Sequence, residues 1–281
     1  MTAIDVDTGN VVQLASASRA HAVLPIPGTS LLAETDGTTG SVRLIDRHTG
    51  AVTAQIAVGE KPDAAIYDPV TNSVIVINAK SGTVSIIDPL KASLTSTISL
   101  KPGLEFAAID DHRQLFVNNE DTNEMEVVDL ATGTVRPSIA LPGCLEPSGL
   151  TYSPSANRLI AACANGIASI VDPRAGRQVG TVAIGKSPDA VILDEPRGLA
   201  FIPSGGSGTL EILKLSRGSV KSIGRVGTEV GARTGALDPK TGKLYLPTAR
   251  YGAAVAGQAR PPQITGSFGI LVVSPTTSVR Q

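Results

Sequence analysis

The chain has 281 residues and a formal net charge of −1, and 42% of its residues are hydrophobic while only 3% are aromatic. Such a balance lacks the excess of basic residues with which general nucleic-acid binders neutralise phosphates. No apolar run reaches the roughly 20 residues that a membrane-spanning helix requires. The sequence therefore does not indicate a nucleic-acid partner or a membrane span.

A short phrase recurs seven times along the chain and indicates its architecture. Each copy is a run of β-forming residues that ends in an acid or its replacement and leads into a turn. The last residues of these runs are Asp5, Asp46, Asp88, Asp129, Asp172, Lys214 and Ser274. The spacing is about 42 residues until the last interval, which is longer. A period of about 40–45 residues with four short strands per repeat is typical of β-propeller blades.

The repeat from Asp46 to Asp88 shows the expected order of strands and turns. Strands are predicted over residues 51–58, 64–68, 73–78 and 83–88, with polar or glycine-containing turns between them. No segment of the chain carries a sustained helical period. We therefore expect an all-β chain, with residues 1–281 forming a single β-propeller domain of four-stranded antiparallel blades.

The N-terminal residues leave the number of blades open. Residues 1–5 resemble the end of a blade whose earlier strands are absent, and six complete repeats follow. One interpretation is a six-bladed ring that the strand near residues 11–14 closes. The other is a seven-bladed parent protein whose first half-blade is missing, and the partial repeat favours it. An extended tail is the simpler alternative.

The repeats resemble one known family. The turn Asp-x-x-Thr-Gly and the loop Gly-x-x-Pro-Asp, seen together in AVTAQIAVGEKPDAAIYDPVTNSVIVINAKSGTVSIID, are similar to the YVTN-type, YncE-like β-propeller repeats. That resemblance implies an exported bacterial protein, often seven-bladed, whose ligands are poorly defined. The first residues carry no signal peptide. We therefore expect a periplasmic or secreted location for the parent protein, or a cytoplasmic one if the chain is complete as given.

The chain departs from that family's pattern just after the loop proline, where it repeatedly places acids. Aligning the repeats on the first strand of each blade puts six residues at one position, which we call the first-strand positions. They are His21, Asp63, Glu105, Ser148, Asp189 and Arg233. Propeller symmetry predicts that they surround one mouth of a central channel. A second set is predicted at the ends of the neighbouring strands: Thr35, Asn78, Asn119, Cys163, Pro203 and Thr248. Basic residues precede four of the blades: Arg19, Lys61, Lys101 and Lys186.

These positions support two classes of function. The first is a binding protein, most simply a monomer, that presents a polar, acid-rich channel mouth to a small ligand or a partner protein. The second is a hydrolase or lactonase that uses Ca²⁺ or another divalent cation, for which Glu105 or Glu34, Asn78, Asn119 and Asp189 offer oxygen ligands. A wet, polar channel without a ligand is the alternative to both. The sequence identifies no catalytic residue and leaves the question of catalysis open.

Two further features are expected to bear on function. The last repeat contains an insertion between residues 248 and 268, which is either a cap over the channel mouth, bringing Arg250, Tyr251 or Arg260 to a ligand, or a surface loop. Cys144 and Cys163 are predicted to lie on one face of the fourth blade, within reach of a disulfide. Such a bond would fit an oxidising compartment; two free thiols are the alternative.

Overall fold

A computed structural model describes residues 1–253 and 261–275 of the chain. In these residues the regular structure is β-strand throughout, apart from one turn of 3-10 helix at Glu195–Arg197. The chain divides into two compact units, Met1–Ser138 and Ile139–Gln281. Five of the sheets are four-stranded antiparallel propeller blades, one blade has three strands in the described residues, and one small sheet has two, so the predicted fold class is confirmed.

The first unit contains a small N-terminal sheet and three blades. Strands β1 (Thr2–Ile4) and β2 (Val11–Gln13) pair only with each other. Blade 1 consists of β3 (Ala20–Pro25), β4 (Leu31–Asp36), β5 (Ser41–Asp46) and β6 (Val52–Ala57). Blade 2 consists of β7 (Pro62–Asp68), β8 (Ser73–Asn78), β9 (Thr83–Asp88) and β10 (Ser93–Ser99). Blade 3 consists of β11 (Leu104–Ile109), β12 (Gln114–Asn119), β13 (Glu124–Asp129) and β14 (Thr134–Ala140), in whose last strand the division between the units falls.

The second unit contains three more blades. Blade 4 consists of β15 (Pro147–Ser153), β16 (Arg158–Cys163), β17 (Ile167–Asp172) and β18 (Arg177–Ala183). Blade 5 consists of β19 (Ile192–Asp194), β20 (Leu199–Ser204), β21 (Thr209–Ser216) and β22 (Ser219–Gly227). Blade 6 has three strands in the described chain, β23 (Ala236–Leu237), β24 (Leu244–Thr248) and β25 (Gly269–Val273).

The apolar residues explain why the sheets stack. The second strand of blade 2, SVIVIN, is buried along its whole length, because both of its faces lie against neighbouring sheets. Val74 and Val76 pack with Val42 and Leu44 of blade 1, while Ile75 on the other face packs with residues of blade 3. Each such side chain contributes about 1.5–3 kcal/mol when it is buried. The fourth strand, in contrast, is mostly exposed.

The acid that ends most third strands fixes the turn that follows it. Asp46 Oδ1 accepts hydrogen bonds from the backbone N–H groups of His48 (3.0 Å) and Thr49 (2.9 Å). Gly50, with φ of +72°, donates its N–H to the Asp46 carbonyl, and a Cβ at Gly50 would lie 2.0 Å from the Leu14 carbonyl oxygen. A hydrogen bond from Ser30, together with those backbone N–H groups, holds the pKa of Asp46 well below its ordinary value.

The predicted strand ends at Asp46, Asp88, Asp129 and Asp172 are confirmed. The expected six blades are present; in the described residues, β25 of blade 6 has no fourth strand beside it. Asp5 accepts hydrogen bonds from Asp7 and Thr8 in the same way as Asp46 does in its turn, so β1 and β2 have the geometry of the last two strands of a blade. The single-domain and seven-blade interpretations stay predictions.

We expect acid to destabilise the protein through these turns. The folded-state pKa values of Asp5, Asp46, Asp88 and Asp129 lie below the ordinary value, so their stabilising effect is present above a pH of about 4 and is lost as the pH falls through the folded values. Asp46→Ala should lower the urea midpoint at pH 7. The midpoint of this variant should then decrease less than that of the native protein as the pH is lowered. Urea titrations between pH 7 and 3 would measure both effects. The control is Asp7→Ala, which removes an exposed acid; an equal loss in both variants would contradict the role of the Asp46 turn.

Candidate functional site

Five of the first-strand positions lie in or beside an irregularity of β pairing. In blade 2, Pro62 lies opposite Asn78 and Ala64 lies opposite Ile77, so Asp63 forms a bulge between them. The same shift in register encloses the residues at the other positions: His21 in blade 1, Glu105 in blade 3 and Ser148 in blade 4. Asp189 follows an isolated bridge between Pro188 and Ser204. A bulge redirects a side chain and commonly marks a functional position.

In the first unit, two of these side chains are in contact. His21 Nδ1 lies 2.9 Å from Asp63 Oδ1, and Lys61 Nζ lies 3.3 Å from the other oxygen of Asp63. The Thr35 hydroxyl supports this pair, because it accepts a hydrogen bond from the Ala22 N–H (2.9 Å) and donates one to the Asp63 carbonyl (3.2 Å). The side chains of His21 and Asp63 are 20% and 23% exposed. Blades 1 and 2 therefore place an imidazole, a carboxylate and an ammonium group together, partly open to solvent.

The second unit contains a similar link between neighbouring blades. Arg233 Nε lies 3.2 Å from Asp189 Oδ2, with the arginine side chain 48% exposed and the aspartate 21% exposed. The Ser148 hydroxyl is buried and donates a hydrogen bond to the Pro188 carbonyl at 3.0 Å. Arg233 of blade 6 is therefore linked to Asp189 of blade 5, and Ser148 of blade 4 is linked to the residue before Asp189.

The two predicted asparagines have structural contacts. Asn78 Nδ2 donates to Thr83 Oγ1 and to Ser85 Oγ, both at 3.0 Å. Asn119 donates to the Pro102 carbonyl and accepts from the Thr122 N–H. Both side chains are buried and fasten the turn between the second and third strands of their blades.

The pairing corrects two residues of the second predicted set. The residues that pair as Asn78 does are Asp36, which lies opposite Ser41, and Ser204, which lies opposite Thr209. The predictions of Thr35 and Pro203 are therefore wrong by one residue. The reason is that strand alternation identifies the face but not the end of a strand whose following turn is also polar.

Glu34, considered above as a possible cation ligand, has a different partner. Its Oε2 lies 2.6 Å from Arg43 Nε, directly across the β4–β5 pairing, and the Glu34 side chain is 0% exposed. Glu34 Oε1 and Arg43 Nη2 are buried without a hydrogen-bond partner. No group of three or more His, Cys, Asp or Glu residues in residues 1–253 and 261–275 is arranged to hold a metal ion.

The insertion in blade 6 begins and ends as a narrow hairpin. Gly252 N–H donates to the Pro262 carbonyl, Ile264 N–H donates to the Arg250 carbonyl, and Tyr251 is bridged to Gln263. Residues 254–260, including Arg260, lie outside the described residues. Beside this hairpin is a pocket of about 320 Å³, lined by Glu229, Thr248, Arg250, Ser267, Gly269, Ile270 and Leu271.

Cys144 and Cys163 form a disulfide whose Cα atoms lie 5.4 Å apart, inside the range that a bridge requires. Both residues are buried. Cys163 stands at the position that Asn78 and Asn119 take in blades 2 and 3, so blade 4 fastens the same turn region with a covalent bond.

Other contacts between neighbouring blades are made at the turns between the first and second strands, away from the first-strand positions. The Arg113 guanidinium of blade 3 donates to Asp68 of blade 2 at 2.7 Å. Glu195 of blade 5 accepts hydrogen bonds from Ser153 and from the Ser155 N–H of blade 4. Burial tends to raise the pKa of Glu195, but these hydrogen bonds lower it overall. Asp68 is 2% exposed, so this contact between blades 2 and 3 buries its carboxylate.

Comparisons with known proteins support the fold but do not assign the chain to a family. No family model matches the chain, and no curated protein matches it. Among solved structures, hydrazine synthase of Kuenenia stuttgartiensis is 16% identical, with a TM-score of 0.57 over 90% of this chain and 94% of that one. A chain of the mitotic checkpoint complex is also 16% identical, with a TM-score of 0.75 over 86% of this chain and 76% of that one. In all, 1570 chains of solved structures match, so the likeness identifies the β-propeller fold alone.

Residues 1–253 and 261–275 contain no helix with the length and hydropathy of a membrane span.

Reducing the disulfide should destabilise the protein without changing its fold. The bond closes a loop with a sequence separation of 19 residues, for which the chain-entropy relation gives about 3 kcal/mol. Urea unfolding of the native protein and of a Cys144→Ser/Cys163→Ser variant would measure the difference. Adding a reductant should affect the native protein only. Equal stability of the two proteins under oxidising conditions would contradict a stabilising role.

Removing one partner of the buried pair should cost more than replacing both. Glu34→Ala leaves the partly buried Arg43 guanidinium without its carboxylate and should lower the free energy of unfolding by about 3 kcal/mol. The double variant Glu34→Leu/Arg43→Met should lie close to the native protein, because the pair already leaves two polar atoms unsatisfied. Chemical denaturation of the three proteins would decide. A double variant that is less stable than Glu34→Ala would contradict this account.

Proposed function

We propose that the protein is a binding propeller of the YVTN, YncE-like type, and that it holds a small polar ligand or a partner protein at the first-strand positions. The observation that carries the proposal is the repeated bulge, which gives His21, Asp63, Glu105 and Ser148 the same place in successive blades. A repeated irregularity that presents different polar side chains favours recognition over mere packing.

The charges at these positions support binding of a polar group. The pairs His21–Asp63 and Arg233–Asp189 are partly open to solvent, so a ligand can compete for their hydrogen bonds without desolvating a buried ion. The first-to-second-strand turns, in contrast, involve buried acids such as Asp68. We therefore assign recognition to the first-strand positions and stability to those turns.

Export to an oxidising compartment belongs to the same proposal. The disulfide of blade 4 supports it, because such bonds persist mainly in the periplasm or outside the cell.

The proposal favours binding without a metal over the cation-dependent hydrolase. Glu34 is committed to Arg43, and the Asn119 amide oxygen already accepts a hydrogen bond from the Thr122 N–H. Adding Ca²⁺ to chelator-treated protein should leave its melting temperature unchanged. A rise of several degrees that Glu105→Gln abolishes would instead favour the hydrolase.

A ligand-observed NMR screen would test where recognition occurs. The probes are equimolar mixtures of polar molecules: sugars, dicarboxylic acids, nucleotides and polyamines. Probes that bind the native protein should lose their signal change in a Glu105→Gln/Asp189→Asn variant, which keeps the shape of both side chains. The matched control is Asp7→Asn/Asp111→Asn, which makes the same change in charge at two exposed acids elsewhere. Binding that survives in the first variant and disappears in the control would overturn the assignment.

A further inference from the structure

The pocket beside β25 is built by a difference between blade 6 and the others. The first residue of the third strand lies opposite the end of the second strand in every blade. That residue carries a side chain in blades 1 to 5: Ser41, Thr83, Glu124, Ile167 and Thr209. In blade 6 it is Gly269, opposite Thr248. A Cβ added to Gly269 would meet nothing within 4 Å, so the missing side chain leaves open space.

Blade 2 shows how that space is otherwise used. The Asn78 amide nitrogen there donates to both Thr83 and Ser85, so the side chains of these three residues fill the space. The equivalent residues of blade 6 are Thr248, Gly269 and Leu271, which cannot form such a network. Thr248 is only 7% exposed, and its hydroxyl is buried without a hydrogen-bond partner. The equivalent hydroxyls of blade 5, on Ser204 and Thr209, are also buried without a partner, so the missing side chain at Gly269 is what sets blade 6 apart.

The pocket also holds two opposite charges that do not neutralise each other. Glu229 and Arg250 both line it, and no ion pair within 4.0 Å joins them or engages either one in the part of the chain that the structure describes. Ile270 and Leu271 add apolar surface. The Ser267 hydroxyl is already engaged, because it donates to the Ile264 carbonyl at 2.6 Å.

We infer that this pocket binds a small zwitterion, namely a free amino acid with an apolar side chain. The guanidinium of Arg250 pairs with the carboxylate of such a ligand, and Glu229 accepts hydrogen bonds from its ammonium group. The apolar side chain lies against β25. A volume of about 320 Å³ is at the lower end of ligand pockets and suits a molecule of this size.

The inference stands apart from the proposed function, because neither Arg250 nor Glu229 is a first-strand position. Each can fail while the other holds.

L-leucine is the probe, with two relatives that each lack one charge. Isothermal titration of the native protein should give saturable binding of L-leucine with a Kd of about 1 mM or tighter. Leucine amide lacks the carboxylate and N-acetyl-leucine lacks the ammonium group, so both should bind about 10- to 100-fold more weakly. Equal binding of all three, or no L-leucine binding, would overturn the inference.

Variants locate the binding. Arg250→Gln should weaken L-leucine binding about 10- to 100-fold and remove the advantage of L-leucine over leucine amide. Glu229→Gln should also weaken L-leucine binding, and it should remove the advantage of L-leucine over N-acetyl-leucine. A variant that weakens all three ligands equally would contradict the assigned roles of these two charges.

Filling the pocket gives a test that does not depend on charge. Gly269→Thr restores the residue type of Thr83 and Thr209, and it should abolish binding while leaving the melting temperature unchanged or higher. The matched control is Gly180→Thr in β18, where an added Cβ also meets nothing within 4 Å. The Glu105→Gln/Asp189→Asn variant should still bind L-leucine. Retained binding in Gly269→Thr would overturn the inference.

Discussion

The structure depends on burying both faces of each blade. In the first unit, one apolar cluster is shared by the sheets of blades 1 and 2, and another by those of blades 2 and 3. The second strands of the blades contribute many of the buried residues. The second unit repeats this arrangement, with one cluster between blades 4 and 5 and another between blades 5 and 6. A single blade cannot bury these faces alone, so its stability comes mainly from its neighbours.

That constraint separates the residues inside the sheets from those at the first-strand positions. Inside the sheets, polar residues are tolerated where they are paired, as Glu211 is with Arg225 at 2.6 Å. Charged side chains are partly exposed where the first strand begins, because the bulge there takes Asp63 out of the regular pairing. The bulge presents a different side chain in each of blades 1 to 4, which lets one fold vary its surface without changing its core.

Much of this fold is predictable from the sequence, for a physical reason. The period of β-forming runs ending in an acid locates the third strands, because the acid's hydrogen bonds to the next N–H groups make the turn almost independent of the rest of the chain. The shared register of His21 and Asp63 is predictable in the same way. Their contact is not, because it depends on the distance between two sheets.

Other features require the structure. Glu34 lies opposite Arg43, but the pairing becomes apparent only once β4 and β5 are in register. The pocket of blade 6 rests on Gly269, and a glycine at the start of a strand is significant only when its neighbours fail to fill the space, which the sequence does not show. The predicted strand ends at Thr35 and Pro203 lie one residue before the observed ends, because the sequence does not mark the last residue of a strand that leads into a polar turn.

The central claim is that recognition occurs at the first-strand positions, whatever the natural ligand. Crystals soaked separately in several small polar solvents would test it without knowledge of that ligand, because such probes collect where a surface can exchange its hydrogen bonds. The account predicts that probes from different soaks overlap beside Asp63 or Asp189 and leave the turns around Asp68 and Glu195 empty. Probes that cluster at those turns and avoid the first-strand positions would contradict it.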